Sequence, residues 1–312
     1  MLEADALRGI VPPTTTPLTA DEDIDRAAVG RLMDWFVNCG VSAIFALGSS
    51  GEAPSMTREM RLEMVDACAD ALAGRLPLLA GVSSPSFRES VLEAETVAEI
   101  GADAIVATTP YYFFYGQEQL YEYFTALAEA SPLPLVIYDI PSRADNSLAP
   151  ETVLALAENE RILGIKDSTG NIERGIDLAN ALAGHDNFVM MQGSERLLSV
   201  ALLMGYEGAV MGIANACPRL CVAIHEAAMA RNLERARELQ ELLNDTFPFF
   251  FAAEGGAANV GSIVGAMKTA QELQGLCSRR TFFPARQITE EDVQTIKAYL
   301  DPLAHAGWIE YA

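Results

Sequence analysis

A lysine at the end of an apolar run is the residue of this sequence best suited to covalent chemistry. Residues 163–166 read Leu-Gly-Ile-Lys, a pattern typical of a strand, and turn-forming residues follow Lys166 at once. The chain holds only three lysines against eighteen arginines, and both Lys268 and Lys297 lie in helical patterns where a solvated position is expected. A partly desolvated lysine loses proton affinity, and its neutral amine can add to a ketone to form a Schiff base. The alternative is a structural lysine paired with Asp167 or another neighbour.

Further residues with binding or proton-transfer side chains also follow predicted strands. Tyr138 ends the apolar run 135–138, and Arg143 lies shortly after it. Residues 48–52 (Gly-Ser-Ser-Gly-Glu) supply small hydroxyls and exposed backbone N–H groups, which can bind a carboxylate without a full counter-charge. Residues 111–115 are all aromatic, which indicates a lid or a subunit contact. The alternatives are a core tyrosine, a surface arginine and an ordinary turn.

The elements that must position these residues alternate regularly between strand and helix. Eight apolar or β-branched runs are separated by longer amphipathic stretches, which is the rhythm of repeated βα units. Eight such units predict an α/β fold, a (β/α)8 TIM barrel, whose strand ends converge on one face where the active site forms. The predicted strands comprise residues 9–12, 43–46, 78–81, 104–107, 135–138, 163–166, 188–191 and 208–211.

An open, doubly wound parallel sheet is the alternative arrangement of the same elements. Such a sheet usually carries a Gly-x-Gly-x-x-Gly fingerprint after its first strand, and residues 11–17 lack it. We expect a barrel over residues 1–232 that carries the active site, and a C-terminal helical extension over residues 233–312 packed on the barrel. The helical patterns of that extension cover residues 233–251, 256–275 and 289–304.

Composition and charge exclude several classes of function. A formal net charge of −22, with no basic cluster to offset it, predicts that nucleic acid is not a partner. No segment approaches the ~18 apolar residues of a membrane span and no signal-peptide pattern opens the chain, so we expect a cytoplasmic protein that binds no membrane. The five cysteines follow no disulfide spacing and indicate a reducing compartment. Cys217 and Cys221 lie four residues apart, but no histidine completes a zinc site, so no metal is expected.

Four motifs together resemble the pyruvate-dependent class I aldolases typified by dihydrodipicolinate synthase and N-acetylneuraminate lyase. Residues 48–52 resemble the pyruvate-carboxylate loop of that family, and Tyr138 with Pro141 resembles its tyrosine motif. Residues 164–168 resemble its Schiff-base lysine motif, and residues 110–112 resemble its aromatic loop. The resemblance extends over most of the chain, and it implies the closed barrel rather than the open sheet.

The resemblance also implies a role for each matching residue. Lys166 would form the Schiff base with pyruvate, and Tyr138 would act as general acid and base. Ser49 would join Tyr138 and Tyr112 in a proton relay, with Tyr112 contributed by a neighbouring subunit of a homotetramer built as a dimer of dimers. The partners would be pyruvate and a small aldehyde or keto acid, and no cofactor is expected. The expected substrate-binding residues are Gly48, Ser49, Ser50, Arg143 and Val210.

The identity of the second substrate is left open by these residues. Arg143 matches the arginine by which dihydrodipicolinate synthases hold the carboxylate of aspartate semialdehyde, which favours 4-hydroxy-tetrahydrodipicolinate synthase of the lysine pathway. Asp145 instead places a negative charge beside that site, and residues 113–115 resemble the loop of the sugar-acid aldolases. We expect a 2-keto-3-deoxy sugar-acid type aldolase, with the synthase as the alternative.

Two hypotheses of another class stay open from the residues. A noncatalytic barrel could keep the fold and bind a small keto acid as a sensor or scaffold. A cofactor-dependent oxidoreductase on the same barrel would need a nucleotide or flavin phosphate site, and the sequence offers no motif for one. A bound chromophore in purified protein would favour the oxidoreductase.

Overall fold

A parallel sheet whose strands follow one another in sequence order forms the centre of the protein. The structure, a computed structural model, describes residues 2–253, 256 and 260–312. Each neighbouring pair of strands is parallel, as the predicted βα units require. The strands are β1 (Ile44–Ala46), β2 (Leu78–Gly81), β3 (Ala104–Thr108), β4 (Leu135–Asp139), β5 (Ile162–Asp167), β6 (Val189–Gln192) and β7 (Gly208–Ala209).

Residues 9–14 close the sheet between β7 and β1. Backbone hydrogen bonds of 2.8 Å run in both directions between this segment and Ala209, and bonds of 2.9 and 3.0 Å run in both directions between it and Phe45. The circle of parallel pairings is thereby complete, so the sheet is a barrel and the open sheet is excluded. The segment forms isolated bridges rather than the regular strand predicted at residues 9–12. Pro12 and Pro13 explain this difference because neither carries an N–H to donate to a ladder.

Helices connect the strands and cover the outside of the barrel. Side chains of Thr57, Ser86 and Asn171 accept hydrogen bonds from backbone N–H groups of the first turns and so start three of these helices. The helices up to residue 232 are α1 (Arg26–Asn38), α2 (Arg58–Leu72), α3 (Phe87–Ile100), α4 (Gln117–Ala130), α5 (Pro141–Ala144), α6 (Pro150–Ala157), α7 (Ile172–Ala181), α8 (Leu198–Leu203) and α9 (Pro218–Met229). Short 3-10 helices comprise Ala4–Leu7, Ala53–Ser55, Glu195–Leu197, Gly212–Asn215 and Phe247–Phe251.

The described residues after 232 form helices and no strand. They contain α10 (Leu233–Thr246), α11 (Val260–Leu273) and α12 (Glu290–His305). Buried Leu243, Met267 and Leu300 pack in one apolar cluster with Ile213 and Cys217, which precede residue 232. Part of the predicted helix over residues 256–275 lies outside the described residues, at 257–259. No helix in the described part of the chain is long and apolar enough to cross a membrane.

Alternate strand residues lie on opposite sides of the sheet and form two apolar layers. The barrel interior contains Phe45 and Tyr138, whereas residues such as Ile137 and Ile165 pack between the sheet and the helices. Because successive strand side chains point to opposite faces, neighbouring residues at a strand end lie in different layers. All five cysteines lie within the described residues and are buried free thiols, as expected of small core residues.

Candidate active site

Lys166 and Tyr138 meet at the carboxyl ends of two adjacent strands. They are paired in the register of β4 and β5, and each side chain is only 5% exposed. The Lys166 Nζ lies 3.8 Å from the centroid of the Tyr138 ring and 5.4 Å from that of Phe45. Within the described residues Lys166 forms no ion pair, so the alternative of a pairing with Asp167 is wrong. The alternation of β5 explains this, because it directs Asp167 to the opposite side of the sheet.

The hydroxyl loop, residues 48–52, packs on the same aromatic ring that faces the lysine. A Cβ added to Gly48 would lie 2.9 Å from a ring carbon of Phe45, so only glycine lets the loop approach so closely. The Gly51 carbonyl accepts a hydrogen bond of 2.7 Å from the Thr16 hydroxyl. The hydroxyls of Ser49 and Ser50 form no hydrogen bond with the described residues, and Ser49 is exposed. Both hydroxyls are therefore available to form hydrogen bonds with a ligand.

Lys268 is fully buried, and the prediction that it occupies a solvated position is wrong. Its Nζ lies 2.5 Å from Oε1 of Glu52, the last residue of the hydroxyl loop. Burial lowers the pKa of the Lys268 ammonium, and the Glu52 carboxylate opposes that shift. Lys297 does have the expected surface position, because it is partly exposed and pairs with Asp301 at 2.7 Å.

The aromatic loop, residues 111–115, projects from the surface of the protomer. Tyr112 is 82% exposed and Phe114 is 80% exposed. The amide of Asn146 holds the backbone of the loop: its Nδ2 donates to the carbonyl oxygens of Pro110 at 2.7 Å and Phe113 at 2.8 Å. Within one protomer, as far as the structure describes it, the Tyr112 hydroxyl forms no hydrogen bond. A single protomer therefore does not assemble the predicted relay of Tyr138, Ser49 and Tyr112.

Arg143 lies on the short helix α5 that follows β4. Its side chain is exposed and has no ion pair with any described residue. Asp145, whose charge the sequence places near this arginine, is also exposed and ends α5 in a left-handed conformation. Asn146, the residue that holds the aromatic loop, comes next in the chain. Asn146 thus links the segment that carries Arg143, residues 141–146, to the aromatic loop by hydrogen bonds.

Strained backbone is concentrated in the loops that the sequence singles out. Seven non-glycine residues in the described part of the chain have positive φ, and four of them lie in or beside these loops. These four are Leu47 (φ 62°), Glu52 (φ 59°), Tyr112 (φ 81°) and Asp145 (φ 57°). Side chains disfavour this conformation, and such residues cluster at sites where surrounding contacts impose the geometry. The pattern is consistent with a functional role for all three loops.

A buried polar network lies behind the strand ends, and sequence reasoning missed it. Asp139 and Asp167 follow Tyr138 and Lys166 and therefore face the helices. The Arg174 guanidinium lies between them, 2.9 Å from Asp139 Oδ2 and 3.4 Å from Asp167 Oδ2. Burial raises the pKa of the Asp139 carboxyl to about 6, although Arg174 opposes the shift. The alternation of the two strands is the sequence signal that could have placed both aspartates on one face.

Two further residues complete the mouth of the barrel. Val210, predicted to bind substrate, is buried in the interior cluster that contains Tyr138. Glu195, which was not predicted, follows β6 and accepts a hydrogen bond of 3.0 Å from the Gly212 N–H. Burial raises the pKa of the Glu195 carboxyl, while backbone N–H groups and the Lys166 ammonium oppose the shift. A carboxylate thus lies within electrostatic reach of the candidate nucleophile.

The chain matches one known family over nearly its whole length. The model of the dihydrodipicolinate synthetase family matches residues 6–302. The chain belongs to this family. The resemblance carried by the four sequence motifs is therefore confirmed, and the protein is an enzyme of the lyase type found among dihydrodipicolinate synthase family members.

Individual members of the dihydrodipicolinate synthetase family are similar to the chain over nearly its full length. The 4-hydroxy-tetrahydrodipicolinate synthase of Gluconacetobacter diazotrophicus is 31% identical over 299 residues, which cover 96% of this chain and 98% of that relative. The solved dihydrodipicolinate synthase of Bacteroides thetaiotaomicron is 34% identical with a TM-score of 0.91, covering 97% of this chain and 100% of that one. A prophage protein of the family from E. coli K12, solved in complex with pyruvate, is 27% identical with a TM-score of 0.88. The match covers 95% of this chain and 98% of that one.

Proposed function

We propose that this protein is a pyruvate-dependent Schiff-base aldolase whose substrates are 2-keto-3-deoxy sugar acids. It would make or break the carbon–carbon bond between pyruvate and an aldehyde. One observation carries the proposal: Lys166 is 5% exposed at the end of a barrel strand, with its Nζ 3.8 Å from the centroid of the Tyr138 ring. The family relative solved with pyruvate supports the choice of the first substrate.

Lys166 would supply the nucleophile of the reaction. Its neutral amine adds to the ketone carbon of pyruvate, and loss of water gives a protonated imine. The imine then accepts the electron pair of a C3–H bond as that proton leaves, which produces an enamine. C3 of the enamine bonds to the carbonyl carbon of the aldehyde, whose oxygen takes up a proton. Hydrolysis of the imine returns the amine, and the same steps in reverse cleave the bond.

Tyr138 would transfer the protons of these steps, and the 3.8 Å between its ring centroid and the Lys166 Nζ, on which the reacting carbon atoms would be carried, supports this role. Ser49 would pass protons between Tyr138 and Tyr112. The high exposure of the aromatic loop supports a Tyr112 that belongs to the site of a second copy, since five adjacent aromatic residues are unfavourable in water. We include in the proposal a cytoplasmic homotetramer built as a dimer of dimers.

The pyruvate carboxylate would lie on the hydroxyl loop. The unpaired hydroxyls of Ser49 and Ser50 and the backbone N–H groups beside Gly48 would donate to it. Val210 would contact the apolar side of pyruvate, since it shares the interior cluster with Tyr138. The loop offers hydrogen-bond donors and no full positive charge, so the protonated imine formed on Lys166 would be the cation next to the bound acid.

Two carboxylates near the mouth of the barrel favour a sugar acid as the substrate, because the part of a sugar acid beyond pyruvate is an aldehyde that carries hydroxyl groups. Glu195 lies within electrostatic reach of Lys166, and Asp145 is an exposed neighbour of Arg143. Carboxylates accept hydrogen bonds from the hydroxyl groups of a sugar, whereas they repel another carboxylate. Both residues therefore suit an aldehyde that carries hydroxyl groups better than an aldehyde that carries a carboxylate.

The second candidate function is 4-hydroxy-tetrahydrodipicolinate synthase, which condenses pyruvate with aspartate semialdehyde. Arg143 supports it, because an exposed guanidinium with no ion pair to any described residue is suited to bind the carboxylate of that aldehyde. The relative from Gluconacetobacter diazotrophicus carries this name at 31% identity.

An assay in both directions separates these two functions. Pyruvate release is measured from 2-keto-3-deoxygluconate, and pyruvate consumption is measured with glyceraldehyde, succinic semialdehyde and aspartate semialdehyde. We expect the sugar acid and its aldehyde to have a kcat/KM at least about tenfold above that of aspartate semialdehyde, the discrimination that one well-placed polar contact provides. A higher kcat/KM with aspartate semialdehyde would reject the sugar-acid proposal and select the synthase.

A further inference from the structure

A buried ion pair ties the hydroxyl loop to the C-terminal helices. Oε1 of Glu52 lies 2.5 Å from the Nζ of Lys268 on α11, and Oε2 accepts a hydrogen bond of 2.9 Å from the backbone N–H of Phe282. The same Nζ donates to the carbonyl oxygen of Arg280 at 2.6 Å. One carboxylate and one ammonium thus join the loop after β1, helix α11 and the segment around residue 281.

The pair is costly to bury, so its location needs a reason. Lys268 is 0% exposed and Glu52 is 7% exposed. Removing two charges from water often costs more than their attraction returns, so a buried pair is weak evidence for a gain in stability. Glu52 also holds a left-handed backbone conformation, which adds strain. Neither cost is explained by the stability of the barrel alone.

The ion pair fixes one end of a loop whose internal backbone hydrogen bonds run from the Gly51 N–H to Gly48 at 3.1 Å and from the Glu52 N–H to Ser49 at 3.2 Å. Thr16 holds the Gly51 carbonyl, but the side chains of Ser49 and Ser50 bond to none of the described residues. The positions of those two hydroxyls therefore depend on the backbone of the loop, and Glu52 is the last residue of that loop. A shift of Glu52 would move the donors of a loop that packs on Phe45, whose ring centroid lies 5.4 Å from the Lys166 Nζ.

We infer that Glu52 and Lys268 are positioning residues for the first substrate: through them α11 holds Ser49 and Ser50 where the pyruvate carboxylate binds. The inference rests on the proposed function, and it gives the C-terminal helices a part in the active site. Because neither residue touches pyruvate, loss of the pair should weaken the binding of pyruvate while the Lys166 amine keeps its ability to form the imine.

The test measures pyruvate binding separately from chemistry and from stability. Lys268→Met and Glu52→Gln proteins are titrated with pyruvate, the imine is reduced with borohydride, and the half-saturating concentration is read from the adduct mass. We expect this concentration to rise about tenfold or more, as for the loss of a charge-assisted contact. We also expect full labelling of Lys166 at saturating pyruvate and an unchanged KM for the aldehyde. Glu52→Gln keeps an acceptor for the Phe282 N–H and carries the test if Lys268→Met does not fold.

Glu93→Gln is the matched control, because it breaks another ion pair with a buried carboxylate, to the partly buried Arg61 at 2.7 Å, in the helical layer. It should lower the Tm but leave the half-saturating pyruvate concentration within about twofold of the wild-type value, because Arg61 and Glu93 bond to each other and to Met56 but to no described atom of residues 48–52. Lys297→Met, which breaks a partly exposed pair, should change neither quantity.

Two results separate failure of this inference from failure of the proposed function. If the wild-type protein gives no pyruvate adduct on Lys166, the proposed function is rejected. If the wild type is labelled but the half-saturating concentration of Glu52→Gln is unchanged, or rises equally in Glu93→Gln, the positioning role alone is overturned.

Discussion

The ammonium group of Lys166 lies over the ring of Tyr138, with 3.8 Å between Nζ and the ring centroid. The register of β4 and β5 sets this contact, since it pairs the two residues directly. An ammonium over a phenol ring is stabilised by about 0.5–2 kcal/mol, which helps to hold Nζ in the barrel mouth. In the proposed mechanism the ring and the hydroxyl of Tyr138 have different tasks: the ring would position the amine, and the hydroxyl would transfer protons.

Tyr138→Phe separates these two tasks because it keeps the ring and removes the hydroxyl. We expect kcat to fall by about 10²–10⁴, the usual contribution of a general acid or base. The yield of borohydride-trapped imine at long incubation should stay at the wild-type level. Steady-state kinetics and adduct mass measure the two quantities.

Tyr121→Phe is the control for this substitution, because Tyr121 is a partly exposed tyrosine of helix α4 and should tolerate the change in both assays. A Tyr138→Phe enzyme with wild-type kcat would show that another group transfers the protons.

Arg143→Ala tests whether this exposed arginine binds a carboxylate of the second substrate. The KM for aspartate semialdehyde and succinic semialdehyde should rise by an amount equivalent to about 1.5–3 kcal/mol, the worth of a hydrogen bond to a charged group. The KM for pyruvate and for glyceraldehyde, which has no carboxylate, should stay unchanged.

Arg88→Ala, at an exposed arginine of helix α3, controls for loss of surface charge. If Arg143→Ala changes the KM of pyruvate instead, Arg143 belongs to the first substrate. An equal change for glyceraldehyde and the two acids would mean that its charge is not what recognises the aldehyde.

Sequence reasoning placed Lys166, Tyr138 and the hydroxyl loop correctly at strand ends because hydrophobic periodicity reports where a strand stops. The same periodicity explains the successful prediction of the parallel α/β fold. It overstated the first strand, since Pro12 and Pro13 remove the donors of a regular ladder and should have reduced it to an irregular segment.

Long-range pairing is what the sequence could not supply. Lys268 lies in a helical pattern that suits either solvent or the core, and its partner Glu52 comes from a distant loop. Arg174 likewise meets Asp139 and Asp167 only after the strands and α7 have packed. Periodicity gives the face on which a residue lies, but it does not identify the opposite charge that makes burial tolerable.

Asp139 should make the stability of the protein depend on pH. Its pKa is raised from 3.8 to about 6, mainly by burial, so the folded state binds more protons than the unfolded state between these values. The protonated Asp139 carboxyl therefore contributes to the free energy of unfolding at low pH. That contribution is lost as the pH rises through about 6, where the buried carboxyl ionises. Asp139→Asn removes this pH dependence because an asparagine side chain does not ionise. The gain in the free energy of unfolding from Asp139→Asn should be about 1 kcal/mol larger at pH 8 than at pH 5.

Urea unfolding of the wild type and of Asp139→Asn at both pH values measures this difference. Asp177→Asn, which replaces an exposed carboxylate on helix α7, is the control. An effect of Asp139→Asn that is the same at pH 5 and pH 8 would show that Asp139 ionises equally in the folded and unfolded states.

Mixing two inactive variants tests whether Tyr112 works in the site of a neighbouring subunit. Lys166→Ala and Tyr112→Phe proteins are unfolded and refolded together. A twofold contact is reciprocal, so one site of each mixed dimer carries both changes while the other keeps Lys166 and receives an intact Tyr112. Random pairing should restore roughly a quarter of the wild-type activity per protomer. Activity no greater than the average of the separately refolded variants would place Tyr112 in its own subunit's site or outside catalysis.

Trapping the imine tests the central claim that Lys166 is the nucleophile. The protein is incubated with pyruvate, reduced with borohydride and digested, and the modified peptide is identified by mass. We predict one adduct per chain on Lys166 and none in Lys166→Ala, even though Lys268 and Lys297 remain. A label on Lys268 or Lys297, or no label at saturating pyruvate, would contradict the Schiff-base mechanism.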